Sequence, residues 1–192
     1  MALHNKKYKT IFVGTSLLLC SFSSIAENTD IDALKTQAVA IVKQFGGTLK
    51  PQLQQALHEG GVKQAIEVCA VKAPQIAKDL SLSSHWQVKR VSLKARNQFN
   101  ATPDAWEKAT LELFNQRQQQ GESAETLVKA EIVNNEFRFM KAQGVAPLCL
   151  NCHGSELSED AKDALAQHYP DDQATGYSLG EIRGAFSLTK KL

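Results

Sequence analysis

The chain has 192 residues, of which 43% are hydrophobic, 7% aromatic and 22% charged, with a formal net charge of +2. This composition is ordinary for a folded domain of moderate size, which excludes an intrinsically disordered or collagen-like chain. The sequence contains no cluster of lysines and arginines, so nucleic acid and anionic lipid surfaces are excluded as expected partners.

The N-terminal segment has the organisation of a secretory signal peptide. Three lysines precede an apolar run at 11–22, and a small-residue cleavage site ends at Ala26. The run is too short to cross a bilayer comfortably, and no second run of this kind follows. We therefore expect residues 1–26 to be removed and residues 27–192 to form one domain in the periplasm, near-neutral in charge and without a stable membrane span.

Residues 30–58 carry the pattern of a long helix, because their apolar side chains recur at spacings of three and four. The glycine pair at 46–47 and Pro51 predict a kink in this helix. The glycine pair at 60–61 predicts its end.

A second helical pattern covers residues 62–80, and Cys69 lies on its apolar face. Pro74 interrupts this pattern. Since proline removes a backbone donor and restricts the residue before it, we expect a break near Ala73.

The middle of the chain predicts a strand, a loop and a helix. Residues 85–93 have strand character, and a polar loop follows at 94–102. Thr102 is the expected N-cap of a helix that has Pro103 at its first position and runs to about Gln119.

The C-terminal part predicts three more strands and one short helix. Residues 126–132 and 135–142 read as two strands joined at a pair of asparagines. Ser158 opens a short helix that Pro170 stops, and a last strand covers 182–189. The expected fold class is therefore mixed α/β, with a long N-terminal helix and a small antiparallel sheet.

The segment CLNCH at 149–153 is a CxxCH motif, the pattern of a c-type haem attachment site. Cys149 and Cys152 are spaced to bond both vinyl groups of one haem, and His153 follows as the proximal iron ligand. One motif predicts one covalently attached haem c. A chance disulfide or half of a zinc site is the alternative, although no second cysteine pair exists to complete a zinc cage.

The ligand on the other face of the iron stays open from residue chemistry alone. The candidates are Met140, His58, His85, His168 and Cys69. A thioether would raise the reduction potential, whereas a thiolate would stabilise ferric iron. Each candidate also has an ordinary structural interpretation, and free cysteine in particular is common in protein cores.

Four basic residues are candidate partners of the haem propionates, because a guanidinium can hold a carboxylate through two parallel hydrogen bonds. They are Arg90, Lys94, Arg96 and Arg183, with Arg96 as the first choice. A second set of large side chains is expected either to wall the haem pocket or to fill the core: Trp86, Trp106, Phe137, Phe139 and Tyr177.

Four segments carry a family resemblance that spans almost the whole exported chain: AIEVCAVKAPQIA (65–77), VKRVSLKARNQFNATPDAWE (88–107), CLNCHG (149–154) and YPDDQATGYSLGEIRGAFS (169–187). In this order they resemble a family of single-haem c-type proteins with a PAS-like α/β fold and largely unknown function. The resemblance implies that His153 binds one side of the iron. It implies an unusual cysteine thiolate on the other side, supplied by the VCxxxAP segment, which here is Cys69.

The expected function is that of an exported single-haem protein acting in redox sensing or signalling through a His/Cys-ligated haem. The alternative is a periplasmic electron-transfer cytochrome c. Two axial protein ligands leave no open coordination position for substrate, so we expect a haem redox or binding protein and no oxygenase or peroxidase at rest. The expected partner is an unidentified redox or sensor protein, and homodimerisation stays open.

Overall fold

The computed structural model describes Met1 and residues 30–192, so the predicted cleavage site lies outside the described residues. The elements follow in the order α1 (Ile31–Ser84), β1 (Gln87–Val91), α2 (Gln98–Ala101), α3 (Ala105–Gln119), β2 (Val128–Val133), β3 (Glu136–Gly144), a 3-10 turn (Pro147–Cys149), α4 (Leu150–His153), α5 (Glu159–His168) and β4 (Ile182–Lys191). The predicted mixed α/β class, with a long N-terminal helix and a small antiparallel sheet, is confirmed. Among the described helices, none is long and apolar enough to cross a membrane.

The four strands form one sheet in the order β1-β4-β3-β2, and every neighbouring pair is antiparallel. The last strand of the chain therefore lies inside the sheet, between β1 and β3. Asn134 and Asn135 join β2 to β3 with φ angles of 51° and 62°. Asparagine tolerates this left-handed backbone well, which is why the asparagine pair predicted the hairpin correctly.

Helix α1 changes direction at Gly61, where the backbone is non-helical with φ 69° and ψ −159°. Glycine adopts this conformation without a steric penalty. The backbone stays helical through Pro51 and Pro74, so the break expected near Ala73 is wrong. Both arms of α1 pack in one cluster against the sheet, which stabilises the helix despite the missing proline hydrogen bonds.

The sheet buries both of its faces. Apolar residues of α1 cover one face, in a cluster that includes Phe45, Leu80, Phe137, Phe139, Phe186 and Leu188. Helix α3 covers the other face, in a second cluster that includes Val91, Leu111, Phe114, Met140 and Ala185. Alternate residues of β3 therefore pack on opposite layers, as the pleat requires.

Helix α3 begins two residues later than expected, because Asp104 and not Thr102 is its N-cap. The Asp104 side chain accepts from the Glu107 amide, and the Glu107 side chain accepts from the Asp104 amide, which is a capping box. Burial opposes ionisation of Asp104, but the Glu107 amide and the Arg138 guanidinium hold the pKa of this carboxyl below its usual range. Thr102 instead bonds the Gln98 carbonyl and ends α2, within the predicted loop.

Glu107 is fully buried between α3 and the sheet. Its Oε1 accepts a hydrogen bond of 2.6 Å from the Ser187 hydroxyl. Its Oε2 pairs with Lys89 Nζ at 3.0 Å and accepts from the Asp104 amide at 2.8 Å. One carboxylate thus joins the start of α3 to strands β1 and β4.

Replacing Glu107 with alanine is expected to lower the free energy of unfolding by about 3 kcal/mol. The physical reason is that the buried Ser187 hydroxyl, the half-buried Lys89 ammonium and the Asp104 amide all lose their partner. Urea unfolding of residues 27–192 measures the change. Glu112→Ala, an exposed position on the same helix, is the control. Equal stabilities of the two variants would contradict the assigned role of Glu107.

Candidate functional site

A cavity of about 390 Å³ lies between α1, the β1 side of the sheet and the 148–153 segment. This volume lies within the range of small-molecule and cofactor sites. All five site residues predicted from the sequence line it: Cys69, Arg96, Cys149, Cys152 and His153. Residues far apart in the chain are thus brought to one place.

The 147–154 segment is a short helical turn, and the conformation of the backbone where it ends is restricted by Gly154. Cys149 ends the 3-10 turn and Cys152 lies in α4, so their spacing of three places both thiols on one side of the turn. The chain then leaves in an extended conformation at Gly154. A Cβ at Gly154 would lie 2.7 Å from the Leu150 carbonyl oxygen, which explains the glycine after the motif.

The His153 ring is oriented by a hydrogen bond to the backbone. Its Nδ1 lies 2.7 Å from the Ala174 carbonyl oxygen. Because a carbonyl oxygen only accepts, Nδ1 carries the proton and Nε2 keeps its free lone pair. Burial, together with the nearby charges of Arg183 and Arg96, lowers the pKa of His153 to about 2. The ring is therefore a neutral imidazole, the form that binds metals.

Arg96 connects the two segments that meet at His153. Its Nη2 donates to the Cys152 carbonyl at 2.5 Å and to the Ala174 carbonyl at 3.2 Å. Its Nε donates to Asp172 Oδ1 at 3.2 Å, and Nη2 pairs with Oδ2 at 3.0 Å. The guanidinium is therefore occupied largely by protein acceptors, and it holds the motif against residues 172–174.

Cys69 reaches the cavity from the second arm of α1, and it is half-buried there. Burial raises the pKa of its thiol, while the charges of Arg90, Arg183 and Arg96 act in the opposite direction. Burial also raises the pKa of Cys152 to about 11. All the cysteines in the described part of the chain, namely Cys69, Cys149 and Cys152, are free thiols.

The other candidate iron ligands lie away from the cavity. Met140 is fully buried in the cluster beneath α3. His58 and His85 are exposed, and His168 ends α5. Of the five candidates from the sequence, Cys69 is the one that lines the cavity.

The large aromatic side chains singled out in the sequence fill the core. Trp86, Phe137 and Phe139 belong to the cluster beneath α1, and Trp106 packs against the cluster beneath α3. Tyr177 packs with Val145, Ala174 and the motif turn, outside the cavity lining.

Sequence reasoning missed three contributors to the site. Tyr169 lines the cavity, and burial raises the pKa of its hydroxyl to about 12. Asp172 and the Ala174 carbonyl position Arg96 and His153. Asp172 and Ala174 act through contacts distant in sequence, so local spacing contained no signal for them.

The chain matches one protein family in sequence and one solved protein in fold. A sequence profile described as Tll0287-like matches residues 25–190. The crystal structure of the cyanobacterial heme-protein Tll0287 matches with a TM-score of 0.65 and 22% sequence identity, covering 83% of this chain and 95% of that chain. At this identity the likeness establishes a shared fold. No curated protein matches the chain in sequence.

Replacing Arg96 with alanine is expected to lower the free energy of unfolding by about 2 kcal/mol, because the largely buried Asp172 carboxylate loses its charged partner. Urea unfolding of protein without a bound cofactor measures this loss. Arg117→Ala, which removes an exposed ion pair with Glu122, is the control and should change the stability little. A similar loss in both variants would show that Arg96 does not hold the site together.

The Cys152 thiol is expected to react slowly with iodoacetamide at pH 8 in protein purified without a bound cofactor. A pKa of about 11 leaves little of the reactive thiolate at that pH. The rate should rise about tenfold per pH unit until the pH approaches this pKa. Peptide mass spectrometry measures the labelling, with the urea-unfolded protein as control. Equal rates in the folded and unfolded states at pH 8 would refute the raised pKa.

Proposed function

Since this chain belongs to the Tll0287-like family, we propose that it binds one haem c and acts in redox sensing or signalling. The observation that carries the proposal is the meeting of the CxxCH motif and Cys69 in one cavity. The match to a solved heme-protein of the same fold supports it. When bound, the haem would supply a one-electron redox centre.

The side chains of the motif suit covalent haem attachment. Cys149 and Cys152 are free thiols on one turn, available for two thioether bonds. His153 presents an unprotonated Nε2 and donates its other ring nitrogen to a carbonyl, which is the usual support of a metal-binding histidine. Arg96 contributes by holding this segment in place.

Cys69 is the proposed second axial ligand. Its thiol lines the same cavity as His153 from a separate element, α1. Burial raises the pKa of this thiol, and the positive charges of Arg90, Arg183 and Arg96 act in the opposite direction, so that they partly offset the cost of forming the thiolate that iron binds. A His/Cys pair would give a low reduction potential, which suits a sensor of redox state.

The fold class, the export and the cellular location of the protein are also proposed. We propose a PAS-like classification of the fold, a signal peptide that ends at Ala26, and a single haem domain at 27–192 in the periplasm. The protein would pass its redox state to a separate partner protein and carry out no enzymatic reaction of its own. A sensor of this kind needs a change in its own structure that the partner can recognise.

Cys69→Ala is expected to abolish the thiolate signature in the ferric absorption and electron spin resonance spectra of protein made with a c-type maturation system. The reason is that alanine offers no ligand to the iron. Val71→Ala, an exposed change on the same helix, is the control and should keep the wild-type spectra. Denaturing chromatography tests attachment in parallel, since Cys149→Ala/Cys152→Ala should lose the haem that the wild type retains.

Identical spectra for the wild type and Cys69→Ala would refute Cys69 as a ligand. Cys69 would then be a core residue, and a periplasmic electron carrier with a different sixth ligand would become the better interpretation. Loss of haem from the wild type on denaturation would refute the covalent attachment.

A further inference from the structure

Two arginines face the cavity without an acidic partner among the described residues. Arg90 on β1 and Arg183 on β4 both line it. Within residues 30–192, neither forms a salt bridge, and the Nε of Arg183 is buried without a hydrogen-bond acceptor. Arg90 lies over the Phe45 ring, with its guanidinium carbon 5.1 Å from the ring centre.

A bulge in β4 brings Arg183 to the same side of the sheet as Arg90. Gly184 pairs with Gln143 and Ile182 pairs with Gly144, so Arg183 is the extra residue between two consecutive pairs. In a regular strand Arg183 would share the α3 face with Ala185. Instead Ile182 packs with Ala185 in the α3 cluster, which turns Arg183 toward the α1 side.

The bulge depends on a close approach of two strands. A Cβ at Gly184 would lie 2.5 Å from the Val91 carbonyl oxygen, so a larger residue does not fit there. The Ser92 hydroxyl donates to the Arg183 carbonyl at 2.7 Å and fixes the bulged residue. The backbone therefore holds Arg183 in this orientation independently of its side chain.

The two guanidiniums repel each other in a poorly solvated site. Burial and the charge of Arg183 lower the pKa of Arg90 to about 10. Both arginines are half-buried, and two like charges in a partly desolvated site are unfavourable unless an anion pairs with them. A ligand with two carboxylates matches this requirement, because each guanidinium can form two parallel hydrogen bonds to one carboxylate.

We infer that Arg90 and Arg183 bind the two propionate carboxylates of the haem, while Arg96 is a positioning residue for the attachment segment. This inference rests on the proposed function. The four basic candidates differ in their protein contacts. Arg96 forms an ion pair with Asp172, and Lys94 Nζ donates to the Thr175 carbonyl at 2.5 Å. In the described part of the chain, the Arg90 and Arg183 side chains have no such acceptor.

Resonance Raman spectroscopy of the haem-loaded protein tests the inference through the propionate bending mode, whose frequency falls when hydrogen bonds to the propionates are lost. Arg90→Gln and Arg183→Gln should each shift this mode to lower frequency. Lys94→Gln is the matched comparison, a cavity cation already bonded to protein, and should leave the mode unchanged. If the glutamine variants fail to fold, Arg90→Lys and Arg183→Lys replace them, because lysine keeps the positive charge. These variants should shift the mode in the same direction as expected for the glutamine variants, but by a smaller amount.

Three results would overturn the inference. An unchanged mode in the Arg90 and Arg183 variants would show that other groups bind the propionates, with haem binding itself intact. A shift of equal size in Lys94→Gln would show that the mode reports only the charge of the cavity. A wild-type protein that takes up no haem would refute the proposed function together with the inference.

Discussion

The site depends on one guanidinium and one carbonyl that tie the motif turn to a distant segment. The turn at 147–153 has too few backbone hydrogen bonds to fix its own position. Arg96 bonds the carbonyls of Cys152 and Ala174, and the Ala174 carbonyl also accepts from His153. The direction of the imidazole is therefore set by residues 172–174, and the motif alone supplies only the reactive groups.

The two faces of the sheet differ in how completely the helices cover them. Beneath α3 the buried Glu107 carboxylate pairs with Lys89 and accepts a hydrogen bond from Ser187, which joins the helix to the sheet. Beneath α1 the layer is closed by apolar packing near Phe45 and Phe186 but stays open beside the β4 bulge. The cavity therefore lies where the regular alternation of side chains is interrupted, so that charged groups face a mainly apolar helix.

Local patterns predicted the elements well where a single physical signal dominated. The asparagine hairpin, the Ser158 cap and the apolar stripe of α1 all depend on neighbours in sequence, and the structure has them. The uninterrupted helix at Pro74 was not predictable, because packing against the sheet outweighs the local cost of proline. The roles of Asp172 and Arg183 also lay beyond local reasoning, since one depends on a distant partner and the other on a bulge.

Because α1 bends at Gly61, the directions of the side chains in its second arm are set by their distance in sequence from Gly61. Each residue turns a helix by about 100°, so the number of residues between Gly61 and Cys69 decides which direction the thiol faces. Inserting or deleting one residue in this interval would swing the thiol out of the cavity while leaving the composition almost unchanged. The spacing between the glycine and the cysteine is therefore as much a part of the site as the cysteine itself.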